Sequence, residues 1–215
     1  ALSLSGDYNL IEGVSAPDVT GCSGFSLSGD YNEVRVSTFA SCCGGGPGLS
    51  LSGSSNTVTG SYFRNCSYHA IELIGGNNLV SGSTASASGY SGGPSLYVSG
   101  DYNRFEGGLV VDDGGGPGVG FMGSGSVGNV VARSTVTSTS YRGVWFNQAS
   151  SNTVIDSYVQ GTTAAWVSRS TGAHIGGSRL VSTLATGSVL WMDNLGSVNL
   201  TLTSSTLLGG ASGWG

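Results

Sequence analysis

Few residues in this 215-residue chain are equipped for chemistry. Four cysteines, Cys22, Cys42, Cys43 and Cys66, fall in its first third. An even count suits disulfides, the alternative being four buried free thiols. Asp7 and Asp30 share a phase in a recurring phrase, with Asp101 further on. Two carboxylates about 4.8 Å apart repel unless protonated, hydrated or bridged by a cation. Asp7 and Asp30 are therefore the candidate metal pair, for Ca²⁺, with water-exposed Asx turns as the alternative. Asp112 and Asp113 read either as an acid pair or as a solvated turn. His69 has no second His in its phase and is expected at the surface or at a corner rather than on a metal. Tyr8, Tyr31 and Tyr102 share a phase and suit either sugars or, for the first two, a mutual stack. Glu12 and Arg35 are expected to form an ion pair between neighbouring units, a surface contact of at most about 1 kcal/mol. Asn65-Cys66-Ser67 and Asn199-Leu200-Thr201 match the N-glycosylation acceptor. The Gly-rich phrases ending at Pro47, Pro94 and Pro117 are not phosphate loops, because no Lys and no helix follows them. No set of side chains reads as a catalytic centre, so no catalytic residue is assigned and a non-enzymatic role is the expectation.

The composition narrows the classes. The chain has 39 Gly, 9% charged residues, and seven basic residues that are all Arg. Gly, Ser and Thr are poor helix formers, which argues against a helical bundle. Glycine without a period of three, beside only 4 Pro, excludes collagen. A mean hydropathy of +0.11 argues against disorder. A net charge of −5 and a pI near 4.7 argue against nucleic acid, which needs a basic face. No run approaches the length of a membrane span. Low charge, absent Lys and many hydroxyl residues suit an extracellular or cell-surface setting. The first residue is Ala and no leader pattern follows, so a signal was removed or the sequence is a fragment.

The elements that must position these residues come from an internal repeat. Ser5-Gly6-Asp7-Tyr8-Asn9 returns at Ser28–Asn32 and Ser99–Asn103, with weaker copies ending at Asn56, Asn78, Asn129, Asn152 and Asn199. His174 fills the eighth place, and the period is 22–26 residues. Around each Asn the apolar positions alternate with period two, which is the pattern of strands. Leu4, Leu27, Leu51, Leu73 and Val98 stand five before it, and Ile11, Val34, Val58, Val80, Phe105, Val131 and Val154 two after. Ala16, Phe39, Phe63, Ala85, Val110, Val136, Val159 and Val181 stand seven after. Five after lies a small polar column of Ser37, Ser61, Ser83, Ser134, Ser157 and Ser204. Such units stack as a solenoid at about 4.8 Å per coil. Asn9, Asn32, Asn56, Asn78, Asn103, Asn129, Asn152, His174 and Asn199 then form a ladder. Each amide donates to one neighbour and accepts from the other, at a corner where Asn tolerates a left-handed backbone. A leucine-rich repeat fits less well, because its Asn follows the Leu pair at a different distance.

The Gly-Asp-Tyr-Asn-x-Val and Ser-Ser-Asn-Thr-Val units resemble right-handed parallel β-helix repeats, the fold shared by pectate lyases, alginate epimerases, phage tailspikes and surface adhesins. The resemblance implies an all-β fold: one domain over 1–215, about nine coils, an Asn ladder and no capping helix. It carries no activity, because none of those families' catalytic motifs is matched and coils this short leave little room for cleft-forming loops. Cys42 and Cys66 each lie ten residues after their Asn and should face each other, which leaves Cys22 for Cys43. Cys22–Cys42 with Cys43–Cys66 is the other arrangement. Asn65 competes with such a disulfide for glycosylation, and Asn199 with the ladder. The leading functional expectation is an extracellular structural subunit that stacks head to tail on itself into a filament or stalk. The sixteen residues after Asn199 plus nine from a following copy would make 25, within the period. The alternative is a carbohydrate-binding or carbohydrate-cleaving β-helix with an aromatic groove and a polysaccharide partner. Ice binding by Thr and Ser runs is disfavoured, because those runs do not recur coil by coil.

Overall fold

Period-two alternation produces three short strands per coil, and the structure stacks them into three parallel sheets of nine strands each. It is a computed structural model that describes residues 2–17, 24–42, 46–89, 92–193 and 198–209. Sheet A runs from Leu2–Leu4 to Leu190–Met192, sheet B from Leu10–Glu12 to Leu200–Thr203, and sheet C from Ser15–Ala16 to Thr206–Leu208. Each strand pairs with the strand one coil before and one coil after, so the chain is an all-β parallel solenoid in a single domain. Among the described residues there is no helix.

The inward columns close a dry core. Leu27, Leu51 and Leu73 stack along sheet A, Val34, Val58 and Val80 along sheet B, and Phe39, Phe63 and Ala85 along sheet C; all are buried. Phe25, Phe39 and Phe63 stack with centroids 4.8 and 5.8 Å apart, an offset arrangement that adds to the area they bury.

Two corners recur in every coil. Between sheets A and B a left-handed residue immediately precedes the ladder position: Tyr8, Tyr31 and Tyr102 have φ of 56°, 54° and 53°. The ladder Asn itself is not left-handed, which corrects the expectation; the strain sits one residue ahead. Three residues before the Asn, glycine is imposed by close approach. A Cβ on Gly29, Gly53, Gly75 or Gly100 would stand about 2.0 Å from the carbonyl oxygen of the matching glycine one coil earlier. The second recurring corner, between sheets B and C, has its left-handed residue four after the ladder position. Gly60, Gly82 and Gly107 supply it in some coils, Val36, Arg133 and Asp156 in others.

The register corrects the last two coils. His174 pairs with Thr153 and Leu200 with Ala173, so the ladder positions are Ala173 and Leu200, not His174 and Asn199. The left-handed Gly177 and Ser204, four after Ala173 and Leu200, keep the same phase. The inward residue of sheet C is accordingly Leu180 rather than Val181, and the serine column continues through Ser178 and Ser205 rather than Ser204. The apolar phase of the strands, not the presence of a polar side chain at the ladder position, sets the register.

Candidate functional site

The most ordered polar feature is the asparagine ladder. The backbone N–H groups of Asn9, Asn32, Asn56, Asn78, Asn103 and Asn129 each donate to Oδ1 of the ladder Asn one coil later, at 2.7–3.0 Å. Nδ2 of Asn9, Asn56, Asn78 and Asn129 donates to the same oxygen. Nδ2 of Asn78, Asn103 and Asn129 also reaches back to the carbonyls of Gly53, Gly75 and Gly100. The glycines of the recurring phrase thus accept from the ladder they make room for. Asn32 Nδ2 is buried without a partner. The ladder stops at Asn152, because Ala173 offers no oxygen. Ser170 takes over part of that corner, its Oγ accepting from Ala149 N at 3.1 Å. His174 stands one place off the ladder, half-buried, with Nε2 3.0 Å from Thr203 Oγ1; Asn199 is exposed.

The serine column forms a second ladder between sheets B and C. The N–H groups of Val14, Ser37, Ser61, Gly108, Ser134, Ser157 and Ser178 each donate to a serine Oγ one coil later, at 3.1–3.3 Å. Those hydroxyls in turn donate to the carbonyl two residues back, as Ser61 does to Thr59.

The chemically active candidates scatter. Cys42 and Cys66 are disulfide-bonded and staple adjacent coils; Cys22 and Cys43 lie outside the described residues. Asp7 Oδ1 accepts from Asp30 N and Asp30 Oδ1 from Ser54 N, each at 2.7 Å, so both carboxylates cap the coil that follows. Among the described residues no three His, Cys, Asp or Glu side chains gather as a metal set. Arg35 pairs with Glu33 on its own strand instead of with Glu12, because both reach outward from the same face two residues apart. Tyr8 and Tyr31 stack at 5.2 Å, while the Tyr102 ring lies against Gly128, where a Cβ would collide with it.

The corner from sheet C back to sheet A holds the buried titratable groups. Asp112 is neither solvated nor paired with Asp113, contrary to both expectations. It is fully buried. Its Oδ1 accepts the N–H groups of Gly114, Gly115 and Gly116 at 2.9–3.1 Å, and its Oδ2 the hydroxyl of Ser95 at 2.9 Å. Burial pushes its pKa up to about 6, against the pull of those hydrogen bonds. Asn65 is its counterpart two coils earlier: buried, with Oδ1 accepting from Ser67 N and Tyr68 N and Nδ2 donating to Gly46 O, all at 2.6 Å. His69 is at a corner but buried, its Nδ1 2.6 Å from Pro94 O and its ring stacked 4.6 Å from Tyr97. Burial pushes its pKa down to about 4.

Sheet A also carries an aromatic outer surface that the repeat pattern does not announce. The outward column of sheet A changes from Ser26 and Ser50 through Glu72 to Tyr97, Gly120, Trp145, Trp166 and Trp191. Trp166 and Trp191 lie 5.6 Å apart, and the Arg142 guanidinium bridges the rings of Trp145 and Trp166 at 4.3 and 3.6 Å. Burial lowers the Arg142 pKa, and the ring faces compensate part of that desolvation. The signal was an aromatic residue between two apolar ones, as in Leu96-Tyr97-Val98 and Ala165-Trp166-Val167, which reads as core until the strand's register is known.

The family model described as a right-handed β-helix region matches residues 23–180. A search of curated proteins returns no match.

Proposed function

The chain belongs to the right-handed β-helix family, and from that premise we propose that it serves as an extracellular structural rod extended by stacking of one copy upon the next. One observation carries the reading. The inward columns, closed throughout the middle, are exposed in the first and last described coils. Leu2 is 43% exposed while its neighbour Phe25 is 0%. At the other end Met192, Leu202 and Leu207 are 46%, 38% and 37% exposed, against 0–1% for Val167, Ile175 and Leu180 beneath them. One more coil, from further chain or from a second copy, covers each set, and we assign it to a second copy, whose end coils match in cross-section. Such a contact is heterologous and does not close on itself, so it propagates as a filament. The Cys42–Cys66 bond fits an oxidising setting.

Negative-stain electron microscopy of the purified protein tests this. Threads with an axial repeat near 43 Å, about nine coils at 4.8 Å, are the expected result. Discrete short rods at high concentration would overturn it. A second reading, a polysaccharide lying along the solenoid, is favoured by the aromatic column on sheet A. Trp145 and Trp166 hold Arg142 between them, while Trp191 is 47% exposed. Retention of the protein on insoluble polysaccharides, measured against a soluble-sugar competitor, decides it.

A further inference from the structure

The two N-x-Ser/Thr sequences meet opposite fates in the fold. Asn65 ends a sheet C strand, Tyr62–Asn65, and is wholly buried. Both ends of its amide are engaged at 2.6 Å, and Cys66 beside it is tied to Cys42. A sugar on that nitrogen would have to pass through a closed corner, and displacing the amide would leave the N–H groups of Ser67 and Tyr68 without their acceptor. Asn199 is the reverse. Leu200 occupies the ladder position, so the Asn199 side chain is not drawn inward; Asn199 and Thr201 are both exposed. Its backbone is nevertheless held, the N–H donating to Ser170 O and the carbonyl accepting from Ala173 N, both at 3.0 Å.

We propose that Asn199 is an N-glycosylation acceptor and that Asn65 is not. The donor is an oligosaccharide linked to a lipid pyrophosphate, and a membrane-bound transferase catalyses the step. Asn199 Nδ2 forms a bond to the anomeric carbon as the bond from that carbon to the pyrophosphate oxygen breaks. The lipid pyrophosphate leaves with the electron pair, and the amide proton passes to a base of the transferase. The hydroxyl of Thr201, two residues on, completes the recognised triplet. Transfer acts on the chain as it enters the secretory route, and the fold then filters the products. A chain modified at Asn65 cannot close its corner, whereas one modified at Asn199 carries the glycan outward at the corner between sheets A and B of the last described coil. The proposal requires secretion, and it shares the last described coil with the proposed stacking face, so the two are tested separately.

The test is secretion of the chain from a eukaryotic cell behind a leader peptide, followed by peptide mass spectrometry before and after peptide-N-glycosidase. The expected result is one glycan per chain, at Asn199, with the Asn65 peptide bare. Thr201→Ala and Asn199→Gln abolish the glycan; Ser67→Ala, which keeps the Asn65 side chain and its backbone contacts, leaves it unchanged. Secreted, disulfide-bonded protein with Asn199 unmodified, or a glycan on Asn65, would overturn the proposal. Absence of threads from both the glycosylated protein and its Asn199→Gln variant refutes the stacking alone.

Discussion

Two corners of the same coil follow opposite rules. At the corner between sheets A and B, each coil's polar groups are satisfied by the identical groups of the next coil, as when Asn56 N and Nδ2 both donate to Asn78 Oδ1. At the corner from sheet C to sheet A, one side-chain oxygen of each coil is satisfied mainly from within it, Asp112 Oδ1 by the Gly114–Gly116 amides and Asn65 Oδ1 by Ser67 and Tyr68. Asp112 Oδ2 and Asn65 Nδ2 reach the unlike groups Ser95 and Gly46 of the preceding coil. Mutual satisfaction forces repetition, because a change in one coil strands groups in its neighbour. Local satisfaction permits divergence. Nine residues separate the start of the sheet C strand at Tyr62 from the sheet A strand at Ile71, but twelve separate Thr84 from Leu96.

The sharpest way to break this comparison is Asn78→Ala. It strips two donors of Asn56 of their acceptor and leaves the Gly53 carbonyl and Asn103 Oδ1 underused. A loss of about 3–4 kcal/mol is expected by denaturant unfolding, from more than one buried group left unpaired. His174→Ala, one place off the ladder, should stay within about 0.5 kcal/mol; equal losses would refute the ladder's role. Next in size is the pH dependence of the corner from sheet C to sheet A. The Asp112 pKa stands above its usual 3.8, at about 6. The folded state therefore holds that proton more tightly than the unfolded state. Its stabilising contribution is complete below pH 4 and is lost as pH rises through 6, a fall of about 2–3 kcal/mol. Asp112→Asn should flatten that slope in unfolding curves taken between pH 4 and 7; an unchanged slope would assign the effect elsewhere. The smallest effect tests the corner between sheets B and C. Val36 is exposed, β-branched and left-handed at φ 46°, where other coils place Gly. Val36→Gly should raise the melting temperature, by relief of about 1 kcal/mol of backbone strain; a decrease would mean that the strain is absent.

The same distinction explains what could be read from the sequence. The parallel solenoid of short strands, most of the core columns and the first seven ladder positions were legible, because mutual satisfaction writes one residue type at one spacing. The ladder's end was not. Ala173 carries no mark, and His174 and Asn199 offered polar residues at nearly the right spacing. The Asp112 nest was hidden, since a carboxylate followed by glycines reads as a solvated turn unless its burial is known. The aromatic face of sheet A escaped because inward and outward positions differ by a single residue of register.

The two ladders also give the molecule an electrical direction. Every backbone donor of the asparagine ladder points toward the following coil, as in the serine ladder, and every ladder Oδ1 that accepts one faces the preceding coil. Nδ2 of Asn78, Asn103, Asn129 and Asn152 turns back to a carbonyl. Strand dipoles largely cancel within sheets, but these side-chain dipoles add, with their positive ends toward the last coil. A rod built this way has two unlike poles. Copies aligned tail to head join positive to negative, whereas copies meeting face to face oppose like with like.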